Sequence, residues 1–67
     1  MKKILISEKI KIYRKNHHLT QEEFGTLFGV SPQAISKWEK GDCYPDITLL
    51  PDIAELLLCS VNDFFSA

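Results

Sequence analysis

At 67 residues, 45% hydrophobic and 25% charged, the chain has room for one compact globular domain, expected over residues 1–67, and does not have the composition of a disordered tail. No apolar run approaches the roughly 20 residues of a bilayer span, and the opening Met1-Lys2-Lys3-Ile4-Leu5-Ile6-Ser7-Glu8 turns polar too soon for a signal peptide. A cytoplasmic protein with no membrane partner is expected. Cys43 and Cys59 stand without CxxC spacing or a matching histidine pair, a pattern that points to free thiols rather than a zinc site or a disulfide framework.

The net charge of -1 and pI near 6.0 argue against a uniformly basic, nucleic-acid-coating protein. The distribution is uneven. Residues 1–40 carry all eight Lys and Arg against four acids, giving +4, whereas residues 41–67 carry five acids and no base, giving -5. The molecule should have a positive end and a negative end.

Along the chain, apolar residues recur at helical spacing and no alternating strand pattern or internal repeat interrupts them, so an all-α fold of five short helices is expected. Ile6, Ile10 and Tyr13 form one face of a first helix, with Ser7 as its expected cap and an end near Asn16 to His18. Thr20-Gln21-Glu22-Glu23 is a capping box that starts a second helix at Gln21. Phe24, Leu27 and Phe28 are its expected apolar face, and Gly29 ends it in a left-handed turn. Ser31-Pro32 opens a third helix by an N-cap followed by proline at the first helical position, running to about Glu39. Ile35 and Trp38 form its inner edge, leaving Gln33, Ser36, Lys37 and the small Ala34 outside.

After Gly41 and a loop through Pro45, Pro51 limits where a fourth helix can begin, because proline is tolerated only in a first turn. Thr48 as N-cap satisfies that limit; with Asp46 as cap the helix start should be irregular. Leu50, Ile53, Ala54 and Leu57 face inward in either case. Ser60-Val61-Asn62-Asp63 is read as the cap of a fifth helix carrying Val61, Phe64 and Phe65.

Two short helices joined by a glycine turn, the second with a polar outer face, form the geometry that places a recognition helix in the major groove. The run LTQEEFGTLFGVSPQAISKWEKG over residues 19–41 resembles the helix-turn-helix of the phage Cro and repressor-like family, also called the XRE family. The likeness extends through IKIYRK before it and YPDITLLPDIAELL and SVNDFF after it, nearly the whole chain. It implies a lambda-repressor-like DNA-binding domain whose helix-turn-helix core is residues 20–39. The implied function is a sequence-specific transcriptional regulator, a repressor, that binds double-stranded DNA as a homodimer without cofactor, metal or small-molecule substrate.

Residue by residue, the resemblance makes Gln33 and Lys37 base-reading positions: glutamine can pair bidentately with adenine, and lysine can donate to guanine. Ala34 could touch a thymine methyl, and Ser36 a base edge. Gln21 sits at the opening of the second helix, where a phosphate is favoured, and Ser31 and Lys40 are further phosphate candidates. Arg14 and Glu39 match positions that form an ion pair between the first and third helices. His17-His18 lacks the further ligands of a metal site; His18 stands where the family commonly has Gly or Asn and is expected in the left-handed conformation. Gly25 replaces the usual alanine at about 1 kcal/mol of helix propensity, and Leu58 stands where a helix-ending glycine is common.

A competing reading keeps the fold but makes it an antitoxin-like or regulator-binding module that holds a protein partner with its C-terminal apolar surface, Phe65 above all. That surface, with Val61 and Phe64, either supplies a dimer patch or closes the core. No nucleophile with its base and no phosphate loop occurs, so an enzyme is not expected.

Overall fold

The computed structural model describes residues 3–66, so Met1, Lys2 and Ala67 of the expected domain and signal-peptide reading lie outside the described residues. The elements are β1 (Lys3–Ile4), α1 (Ile6–Asn16), α2 (Gln21–Phe28), α3 (Pro32–Lys40), a 3₁₀ turn (Ile47–Leu49), α4 (Leu50–Leu56), a second 3₁₀ turn (Val61–Phe64) and β2 (Phe65–Ser66). Two expectations are corrected. Among the described residues there are four α-helices, not five, and a short antiparallel ribbon joins the two ends of the fold, with Ile4 opposite Phe65.

The ribbon explains a third correction, at the first helix. Ser7 does not cap α1; the helix begins at Ile6, two residues earlier than a Ser7 cap would place it, with Leu5 at the N-cap position. Leu5 is pinned there because its amide donates to the Phe64 carbonyl at 2.6 Å while its own carbonyl accepts from the Lys9 amide. Ile6 and Ile10 then point into the core, one helical turn apart.

In α2 both halves of the capping box form: Thr20 Oγ1 accepts from the Glu23 amide at 3.0 Å, and Glu23 Oε1 accepts from the Thr20 amide at 2.8 Å. Phe24 is fully buried, its ring near those of Tyr13 and Phe28. Leu27, expected on the same face, is instead 56% exposed. α3 supplies Ile35 and Trp38, which pack with Phe24, Ile53, Ala54 and Phe64 into the single core.

The start of α4 follows the less regular of the two expected routes. Asp46 Oδ1 accepts from the Thr48 amide at 2.9 Å, and one 3₁₀ turn precedes α4, so Pro51 still falls in the first turn of the α-helix. The expected fifth helix is the 3₁₀ turn Val61–Phe64, with Asp63 accepting from the Ser60 amide at 3.0 Å. Phe64 is fully buried and Val61 packs against the core, so these two close the monomer; Phe65 remains partly exposed.

All four α-helices end in the same way, each with a left-handed residue just past its last turn: His18 (φ 55°), Gly29 (φ 68°), Gly41 (φ 78°) and Leu58 (φ 57°). At Leu58 the motif is complete, with the Leu58 amide donating to the Glu55 carbonyl and the Cys59 amide to the Ala54 carbonyl. A leucine pays a steric cost there that glycine does not, and at 92% exposure it recovers nothing from the core. Leu58→Gly is therefore expected to stabilise the fold by about 1 kcal/mol, measured by urea unfolding.

The caps also set a pH dependence. The hydrogen bond from the Thr20 amide holds the Glu23 carboxyl below its ordinary range, and the one from the Thr48 amide does the same for Asp46. Carboxyls held lower in the folded than in the unfolded chain stabilise the fold above the unfolded value, and that stability is lost as pH falls through the folded value. The midpoint of thermal unfolding should drop as pH falls below the usual carboxylate range, with Glu23→Gln flattening part of the drop.

Candidate nucleic-acid interface

The geometry of α2 and α3 rests on one tight turn. Gly29 adopts the left-handed conformation, the Val30 amide donates back to the Gly25 carbonyl at 3.0 Å, and Ser31 begins the next cap with its Oγ accepting from the Ala34 amide at 3.2 Å. Gly25 has a second role here that its helix propensity does not reveal. A methyl group at this position would lie 2.5 Å from the Val30 carbonyl oxygen, so α2 and the turn approach each other at a distance that any side chain would force apart.

Ile35 and Trp38 anchor the inner side of α3, leaving Gln33 and Lys37, one helical turn apart, exposed on its outer side. Ala34 and Ser36 flank that face and are half-buried, Lys40 is exposed at the far end, and Ser31 is exposed at the near end. Ser31 serves as cap through an oxygen lone pair, which leaves its hydroxyl hydrogen free to donate outward.

Behind this face lies a network of three side chains, Arg14, Glu39 and Gln21, and one backbone carbonyl. Arg14 Nε donates to Glu39 Oε2 at 2.6 Å and Nη2 to Oε1 at 3.0 Å, a bidentate pair whose side chains are 15% and 5% exposed. Arg14 Nη1 donates to the Leu19 carbonyl at 3.0 Å, tying in the connection to α2. The hydrogen bond to Glu39 keeps the Arg14 guanidinium charged beyond its ordinary range. Gln21 Nε2 reaches Glu39 Oε1 at 3.4 Å. That contact joins positions eighteen apart in the chain, with no local signal in the sequence, and neither it nor the Leu19 carbonyl was among the expected site groups.

Other sequence candidates are distributed differently. His17 stacks on Tyr13 with ring centroids 4.1 Å apart, and His18 takes the left-handed conformation. Among the described residues no three His, Cys, Asp or Glu side chains converge on a metal position. Cys43 and Cys59 are free thiols, and among the described residues no helix is long and apolar enough to cross a membrane.

Residues 10–64 match the helix-turn-helix family. The chain is 38% identical over 60 residues to the HTH-type transcriptional regulator MJ0272 of Methanocaldococcus jannaschii, an alignment covering 90% of this chain and 91% of that protein. It is 34% identical over 59 residues to the antitoxin PezA of Streptococcus pneumoniae, where it spans 88% of this chain and 37% of the antitoxin. The crystal structure of the P22 c2 repressor in complex with a synthetic operator superposes with a TM-score of 0.78 at 32% identity, covering 92% of this chain and 94% of that one. With its capped helix pair, its left-handed Gly29 turn and a match through most of its length, the chain belongs to the XRE-type helix-turn-helix family.

Proposed function

We propose that this protein is a sequence-specific double-stranded DNA-binding transcriptional regulator, acting as a repressor, with α3 in the major groove. The observation that carries the reading is the division of α3: Ile35 and Trp38 fix the helix in the core while Gln33 and Lys37 stand exposed on one outer edge. The P22 c2 repressor, solved on an operator, supports it through a common fold. In this reading Gln33 and Lys37 read bases, Ala34 and Ser36 contribute at the flank, and Gln21, Ser31 and Lys40 hold phosphates. The protein acts by binding rather than catalysis, in the cytoplasm, and as a homodimer, because one short helix reads only a few base pairs and paired half-sites about 34 Å apart supply the rest.

The test is selection from a pool of random duplexes at two salt concentrations, with sequencing of the retained DNA. Enrichment of a palindrome with half-sites one turn apart is expected. Binding with no enriched sequence would reject base reading, and enrichment of single half-sites would reject the dimer. A second reading, an antitoxin-like protein-interaction module, is favoured by the likeness to PezA and by the acidic C-terminal part. It requires that no duplex be retained even at low salt.

A further inference from the structure

A groove of about 680 Å³ opens between the C-terminal end of α2 and α4, and none of its lining residues belongs to α3. Leu27 and Phe28 line it from α2, Leu49 and Leu56 from the other side, and Leu58 projects beside them. Two of these leucines face solvent rather than the core, Leu27 at 56% and Leu58 at 92% exposure. Leu58 does so from a left-handed backbone that glycine would occupy without strain. An exposed side chain held at a conformational cost has its use outside the monomer.

The electrostatics select the occupant. Asp52 and Glu55 border the groove and no basic residue lines it. The last turns of α2 and α4, which both reach it, carry no Lys or Arg, so the negative ends of two helices add to the two carboxylates. Such a surface repels nucleic acid and anionic lipid. A second copy meeting it face to face would oppose the same carboxylates to themselves.

We propose that this groove docks an amphipathic segment of a partner protein, with apolar side chains on Leu27, Phe28, Leu56 and Leu58 and flanking lysines or arginines beside Asp52 and Glu55. The site lies apart from the α3 face, so partner and DNA can be held together.

The test titrates the 67-residue chain, without DNA, into a fluorescent synthetic Leu/Lys amphipathic helix about four turns long, followed by anisotropy. Peptides of the same length with Ser in place of Leu, or Glu in place of Lys, serve as controls. Only the Leu/Lys peptide should bind, more weakly as salt rises. Leu58→Gly should lower its affinity about fivefold and Asp52→Lys with Glu55→Lys about tenfold or more, both proteins keeping cooperative unfolding and full operator affinity. Leu58→Gly cannot act by failing to fold, since it relieves strain.

Equal binding of the Ser/Lys peptide, absence of Leu/Lys binding, or unchanged affinity in Leu58→Gly would overturn the proposal. So would self-association of the chain abolished by Leu58→Gly, which would give the groove to a second copy. The titration contains no DNA, so its failure leaves the operator reading standing, and loss of operator selection leaves the groove standing.

Discussion

Gln33→Ala is expected to weaken binding to the selected operator by about 1–3 kcal/mol, roughly 5- to 150-fold, while binding to unrelated duplex changes little. The side chain is exposed near the start of α3 and takes no part in the internal hydrogen bonds of the described residues, so its removal should leave the fold intact. Whatever affinity it supplies comes from the partner, and a bidentate amide pair with adenine is the interaction its chemistry fits best. Lys37→Ala should also weaken operator binding, and its salt dependence separates two roles. If Lys37 reads a guanine edge, specificity relaxes at one base position. If it meets a phosphate, binding weakens evenly across sequences and the slope of log affinity against log salt falls by about 1. The two changes together should bring operator affinity close to that for random duplex. Unchanged affinity in both Gln33→Ala and Lys37→Ala, measured at two salt concentrations, would remove α3 as the reading element.

The parts of this architecture that were legible in advance are those whose cause is local. The Thr20 box, the Ser31-Pro32 start and the Gly29 stop each need only a few neighbouring residues, and they suffice to place α2 and α3 and so to bring Gln33 and Lys37 to one outer edge. What was not legible depends on contacts between distant positions. The choice of Leu5 over Ser7 at the start of α1 is made by a hydrogen bond to Phe64, and the terminal ribbon is too short to show an alternating pattern. The Val61–Phe64 segment has a cap like that of a helix, yet it continues directly into β2, and one tight turn is all the chain between them can hold. Leu27 matched the apolar period of α2 but lies toward a groove that α4 does not fill. Periodicity identifies the stripe, not how much of it the rest of the fold covers. Gly25 carried the same kind of ambiguity: composition showed only a poor helix former, and the close approach of Val30 appears once the turn is folded.

Glu39→Gln should destabilise the protein by about 2–3 kcal/mol, because it leaves the largely buried Arg14 guanidinium facing a neutral amide in place of two charge-assisted hydrogen bonds. The pair joins α1 to the last turn of α3, and Arg14 holds the chain ahead of α2 through Leu19, so the loss falls on the relative placement of all three helices. Stability and DNA affinity need not follow each other. Replacing both partners by leucine removes the unpaired charge as well as the pair, and such exchanges are often nearly neutral. Arg14→Leu with Glu39→Leu should therefore unfold at a urea concentration closer to the parent than either single variant, with a coupling energy of about 1–3 kcal/mol in the cycle. Operator affinity should not recover with it, because the double variant also lacks the carboxylate that Gln21 Nε2 meets at the start of α2. A double variant restored in both stability and affinity would make the pair a packing element alone. Restored stability with weakened binding would make Glu39 a positioning residue that aims Gln21 at the DNA backbone.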